Sequence, residues 1–141
     1  MEQISTKDLS TAKQNQLGFV VALIVLDQAI KQLIIRGHLY GIFGISVHYN
    51  DKSITWAVIA SLLIIVLATG AVMGSKGHMF LSGTGLVTIL AGGLSNMIDY
   101  IQLQAVIDTF NIASFHFNLA DAYVVIGGGI IVSSISKNRR H

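Results

Sequence analysis

Ile54–Met73 reads ITWAVIASLLIIVLATGAVM, an apolar run without one charged residue. At 1.5 Å of rise per residue, a helix of about 20 such residues crosses a hydrocarbon core about 30 Å thick. Three further stretches meet the same length test once this one is recognised. Leu17–Ile35 does so although Asp27, Gln28, Lys31 and Gln32 interrupt it. The stretch 79–99 is glycine-rich and ends in Asn96 and Asp99, and the stretch 115–136 carries Asn118 and Asp121 near its start. The sequence therefore predicts an all-α membrane protein, with four transmembrane helices at about 17–35, 54–73, 79–99 and 115–136 in one domain over 1–141.

Composition agrees. Of 141 residues, 52% are hydrophobic and 11% charged, against about 25% charged in an ordinary soluble domain. That is too little charge to cover a water-facing surface. With no cysteine there is no disulfide framework, thiol nucleophile or thiolate metal site. The nine Lys and Arg residues are scattered or terminal, with no aromatic-interleaved basic face, so nucleic acid is not an expected partner. The first stretch is too long for a signal-peptide core, contains charge and is followed by no Ala-x-Ala site.

Lys and Arg concentrate on the cytoplasmic side of membrane proteins. With both termini inside, that side holds Lys7, Lys13, Lys76, Lys137, Arg139 and Arg140, and the outside only Arg36 and Lys52. Between the second and third spans, Gly74–His78 is a short turn that makes them antiparallel neighbours. The outer connections are longer. The β-branched and aromatic run Ile42–Tyr49 predicts a small extracytoplasmic β-like segment, and Val106–Phe110 is apolar around Asp108. The polar N-terminal dozen residues are expected to fray or lie along the inner surface.

On this topology Asp99, Asp108, Asp121, Asn96 and Asn118 gather near the outer leaflet, while Asp27 lies near mid-depth with Lys31 one turn further out. Ionisable groups in lipid cost several kcal/mol unless paired, so each is a functional candidate. Two carboxylates held close cannot both ionise readily: one keeps a proton and the other activates water, the arrangement of an aspartic peptidase. Other chemistries find less support. The five histidines form no helical metal pair, and no nucleophile elbow, Walker loop or dinucleotide fingerprint occurs. Ser95 lacks an adjacent base and would be a poor nucleophile.

Gly92-Gly-Leu-Ser-Asn96-Met-Ile-Asp99, then Val106-Ile-Asp108-Thr-Phe110, then Phe117-Asn118-Leu-Ala-Asp121 resemble the motifs of signal peptidase II, the bacterial lipoprotein signal peptidase. Asp27-Gln-Ala-Ile-Lys31 is similar to that family's Asp-x-x-x-Lys in its first helix. The resemblance implies a four-helix aspartyl endopeptidase of the bacterial cytoplasmic membrane that cuts prolipoproteins just before a diacylglyceryl-modified cysteine. It implies Asp108 and Asp121 as the catalytic dyad, with Asn96, Asp99, Asn118, Asp27 and Lys31 binding substrate or bracing the site. It further implies no metal or organic cofactor, membrane lipids and prolipoproteins as partners, a monomer, and sensitivity to the cyclic depsipeptide globomycin. Three departures stand out: Ser95 where the family has Gly, Tyr100 where it has Arg, and no recognisable outer Asn-x-Gly-x-x-Phe element after His48-Tyr49, its Asn matching Asn50 only under a shifted alignment.

Each assignment has a plainer counterpart. Asp108 could be a solvated loop acid, and Asp121 a helix N-terminal acid favoured by the dipole. Asn96 and Asn118 could be ordinary interhelical links, and Asp27 with Lys31, at i and i+4, a structural ion pair. Gly92-Gly93 and Gly127-Gly128-Gly129 read as close helix packing, and Tyr49 and Trp56 as interfacial anchors. The rival function is a non-catalytic paralogue that holds lipidated peptides or a globomycin-like antibiotic. A proton-coupled carrier fits less well, because the second span is wholly apolar and the acids cluster on one side.

Overall fold

The computed structural model describes residues 6–37, 45–50 and 79–138. In chain order these form α1 (Thr6–Ile35), β1 (Ile45–Asn50), α2 (Met79–Leu103), β2 (Val106–Ile112), β3 (Phe115–Phe117) and α3 (Leu119–Asn138). The expected 54–73 span, Trp56, and the turn at 74–78 lie outside the described residues. Among these elements, Gln14–Ile35 of α1 and Gly83–Leu103 of α2 are long and apolar enough to cross a membrane, and Leu119–Ser134 of α3 is a shorter apolar helix.

Three element ends differ from the approximate spans expected. Helix α1 already starts at Thr6, because Thr6–Gln16 holds neither proline nor glycine and continues the helix with polar residues. Helix α2 continues past Asp99 to Leu103 and stops where Gln104 takes a left-handed φ of 56°. The Gln104 backbone N–H and side-chain amide both donate to the Tyr100 carbonyl, at 2.9 and 3.1 Å, and so satisfy an end that lacks a glycine. Residues 115–117, expected as the start of the last helix, form β3, and α3 begins at Leu119. Helix α1 ends conventionally, with Gly37 at φ 82° and its N–H on the Ile34 carbonyl.

The sheet is antiparallel in the order β1-β2-β3. β1 pairs His48 with Asp108, Tyr49 with Ile107 and Asn50 with Val106, with an irregularity between Ile45 and His48. β2 pairs Phe110 with Phe117 and Ile112 with Phe115 across the two-residue turn Ala113-Ser114. The β-like segment expected before Tyr49 is therefore present from Ile45, as one edge of a larger sheet.

The interior mixes a small apolar core, with Ile34, Ile89, Val106, Ile107 and Ile131, and an unusual share of polar groups. Leu17, Val25, Met97, Ile101, Val125 and Val132 face outward, while Asp27, Lys31, Ser95, Asp99, Asp108 and Asn118 are buried. Apolar helix surfaces turned outward and polar groups turned inward suit lipid as the surrounding medium. At the α2/α3 seam the backbones almost touch. A Cβ on Gly85 would come within 2.8 Å of the Gly127 carbonyl, and one on Gly127 within 2.6 Å of the Gly85 carbonyl. A Cβ on Gly92 would overlap the Ala120 carbonyl. Gly128 and Gly129 meet nothing within 4 Å, so close packing belongs to Gly127 alone of that triplet.

Candidate active site

The first turn of α3 organises the site. Asn118 caps the helix by accepting the Asp121 N–H on Oδ1 at 2.9 Å, and Asp121 returns the bond by accepting the Asn118 N–H on Oδ2 at 3.0 Å. This is a capping box built from Asn and Asp. It leaves the Asn118 amide free to reach β2, where Nδ2 donates to Asp108 Oδ1 at 3.1 Å and to the Ile107 carbonyl at 3.3 Å. One side chain thus ties Asp108 to Asp121. The second oxygen of each carboxylate also has a donor: Asn50 Nδ2 to Asp108 Oδ2 at 3.4 Å, and Asn96 Nδ2 to Asp121 Oδ1 at 2.9 Å.

Behind this pair lies an ion cluster. Lys31 is fully buried, its Nζ 2.7 Å from both Asp27 Oδ2 and Asp99 Oδ2. It also donates to Asn96 Oδ1 at 3.2 Å, so Asn96 joins the cluster to Asp121. Asp27 Oδ1 accepts the Ala120 N–H at 3.0 Å, and Asp99 Oδ2 accepts the Ile107 N–H at 3.2 Å. All seven residues expected from the sequence, Asp27, Lys31, Asn96, Asp99, Asp108, Asn118 and Asp121, therefore belong to one hydrogen-bonded network. The i,i+4 ion pair between Asp27 and Lys31 is real, and Asp99 braces both Lys31 and β2.

Burial, and then the nearby charge of Asp121, push the Asp108 carboxyl above its ordinary range. The Asn50 and Asn118 hydrogen bonds and the His48 charge pull more weakly the other way. His48 and His116 stack with ring centroids 4.2 Å apart. Among the described residues no group of three or more metal-binding side chains converges.

Residues 19–137 match the sequence profile of the family described as Signal peptidase (SPase) II. The chain belongs to the signal peptidase II family. A Lipoprotein signal peptidase of Bartonella bacilliformis is 30% identical over 89% of this chain and 91% of its own length. One from Streptococcus pneumoniae is 33% identical over 62% of this chain, spanning 59% of that relative. A solved bacterial membrane enzyme shares the fold with a TM-score of 0.66 at 20% identity, covering 89% of this chain and 90% of that one.

Beside the seven, three further residues contribute: Asn50, matched to the family's outer Asn only under a shifted alignment, and Gln28 and Ser95, whose roles the sequence did not reveal. Asn50 reaches Asp108 only because β1 pairs with β2 in this register. Gln28, read as an interruption of an apolar span, donates to Asp99 Oδ1 at 2.8 Å. Ser95, read as a departure and a poor nucleophile, is fully buried and donates to Asp27 Oδ2 at 2.7 Å. The signal available for both was a polar side chain inside an apolar helix, where an unpaired group is costly. Tyr100, in place of the family's Arg, is half-buried after Asp99.

Proposed function

We propose that this chain is an aspartyl endopeptidase of the bacterial cytoplasmic membrane, removing signal peptides from prolipoproteins that carry a diacylglyceryl-modified cysteine. The observation that carries this reading is the Asn118 bridge, which holds the Asp108 and Asp121 carboxylates in one hydrogen-bonded unit. Four helices cross the bilayer with both termini cytoplasmic, a monomer suffices, and the dyad faces the outer leaflet. Substrate enters laterally, its acyl chains staying in lipid while the scissile bond meets the dyad.

Asp121 is the general base. It sits at the third position of α3, at the helix's positive end, and accepts from the Asn118 N–H and the Asn96 amide. Asp108, tied to Asp121 through Asn118, is the acid, because two carboxylates held in one unit do not ionise together and the charge rests on the one at the helix's positive end. Asp121 removes a proton from water as its oxygen attacks the scissile carbonyl. Asp108 hydrogen-bonds the developing oxyanion. As the C–N bond breaks, a proton from the dyad passes to the leaving amine.

The test is cleavage of a diacylglyceryl-modified prolipoprotein by purified protein in detergent, beside Asp108→Asn and Asp121→Asn. The expected result is cleavage by the parent and none by either folded variant. Cleavage surviving one substitution would remove that residue from the dyad. A parent that binds lipidated peptide or globomycin without cutting would make the chain a binder instead.

A further inference from the structure

The buried ion cluster has a symmetry that the catalytic reading does not require. Each of its carboxylates takes three donors of the same three kinds. Asp27 accepts from Lys31 Nζ, from the Ser95 hydroxyl and from the Ala120 backbone N–H. Asp99 accepts from Lys31 Nζ, from the Gln28 amide and from the Ile107 backbone N–H. Ala120 immediately precedes Asp121, and Ile107 immediately precedes Asp108. Each cluster aspartate therefore grips the peptide N–H of the residue before one dyad aspartate, and Lys31 joins the two grips.

Charge explains why the side-chain donors matter. One ammonium faces two buried carboxylates, with Asp27 and Asp99 each 1% exposed. The surplus negative charge has to be held by neutral N–H and O–H groups. Ser95 supplies one where the family motif has glycine, and its Oγ also accepts from Gln28 Nε2 at 3.1 Å, tying the two arms together. On the next peptide, which joins Ala120 to Asp121, Gly92 lets the Ala120 carbonyl approach so closely that no Cβ fits. Ala120 is thus fixed at both ends, by Asp27 on its N–H and by Gly92 under its carbonyl.

We propose that Ser95 is a positioning residue of this chain: its hydroxyl holds Asp27 on the Ala120 N–H and so sets where Asp121 stands relative to Asp108. The catalytic part of this rests on the peptidase reading, but the mechanical part does not, and two readouts separate them.

The first readout is residue-resolved backbone amide exchange of the full chain in detergent micelles, for the parent, Ser95→Ala and Ser95→Gly. Losing a hydrogen bond to a carboxylate is expected to speed exchange at Ala120 about tenfold, with less than about twofold change at Ile107. Both variants should behave alike, since the hydroxyl and not the side-chain volume is the cause. Unchanged exchange at Ala120, or an equal rise at Ala120 and Ile107, overturns the proposal, the latter because it marks general loosening. The second readout is steady-state cleavage of the diacylglyceryl-modified substrate. Ser95→Ala should lower kcat about tenfold and leave KM within about twofold, and should add less than about twofold on an Asp27→Asn background. Unaltered kcat, or full additivity with Asp27→Asn, overturns it. A parent that does not cleave removes the peptidase reading and leaves the exchange result to decide the role of Ser95.

Discussion

Every polar group of Asn118 is engaged at the site: its N–H and Oδ1 with Asp121, its amide nitrogen with β2, its carbonyl with the Ala122 N–H. Two substitutions separate its jobs. Asn118→Ala removes the cap and the bridge together, and should cost about 1 kcal/mol of stability and about 10²-fold in kcat. Asn118→Ser keeps a capping oxygen but cannot span to Asp108, so thermal melting in detergent should return close to the parent while kcat stays low. The pH dependence at Asp108 has a defined sign. Because its folded value is raised, the folded state binds the proton more tightly, and stability falls as pH rises from the unfolded value through the folded one. Asp108→Asn, which cannot ionise, should therefore raise the melting temperature more at pH 7 than at pH 4. Activity should show an alkaline limb as Asp108 loses its proton. At this scale the sequence was legible wherever a polar residue interrupted an apolar run beside a recognisable motif, as at Asp27, Asn96 and Asp121. Asn50 was legible only as a shifted match to a family motif, and its contact with Asp108 was not, because that partner is chosen by strand register, a long-range choice that local pattern does not encode.

The α2/α3 seam is where one element fixes another. Gly92→Ala forces a methyl group against the Ala120 carbonyl and within 3.0 Å of Val124, and a backbone atom cannot swing away as a side chain does. The expected cost is about 1–3 kcal/mol, with a loss of cleavage because the displaced peptide carries Asp121. Gly128→Ala is the control. It meets nothing within 4 Å and should stabilise α3 by about 0.5–1 kcal/mol through helix propensity, as read by thermal melting in detergent. The helix cores were legible from apolar length. The start of the last helix was not, since Phe115-His-Phe117 is as apolar as the helix after it, and the turn before it has no glycine. Ala113 and Ser114 take φ values of 47° and 73°, a conformation that composition gives little reason to expect there. The aromatic pair Phe110 and Phe117, 5.5 Å apart across β2 and β3, and the Asn118 cap end that strand pair and begin the helix.

For the molecule as a whole, the network makes Lys31 the side chain on which α1 and α2 depend jointly. Lys31→Met leaves two buried carboxylates without their cation and should destabilise the protein by about 3–5 kcal/mol, visible as early unfolding on heating in detergent. The orientation expected from the basic residues is checked separately: a fluorescent reporter fused after His141 should be bright and an alkaline phosphatase at the same place inactive. That apolar side chains would face outward was legible from composition alone, because 11% charge leaves too few polar groups to face water. That the charges inside the apolar stretches would assemble into one cluster was legible only through their motifs, since Lys31 and Asp99 lie 68 positions apart. That separation also bears on how the protein is made. When α1 leaves the ribosome, Asp99 does not yet exist, yet Lys31 already has Asp27 one turn away and can enter the bilayer as half of a neutral pair. Asp99 has no such companion on its own helix, and its cation is waiting in a segment synthesised earlier. Biogenesis therefore runs in one direction: α1 can be inserted alone, whereas α2 becomes a comfortable resident of the bilayer only once α1 is there to receive it.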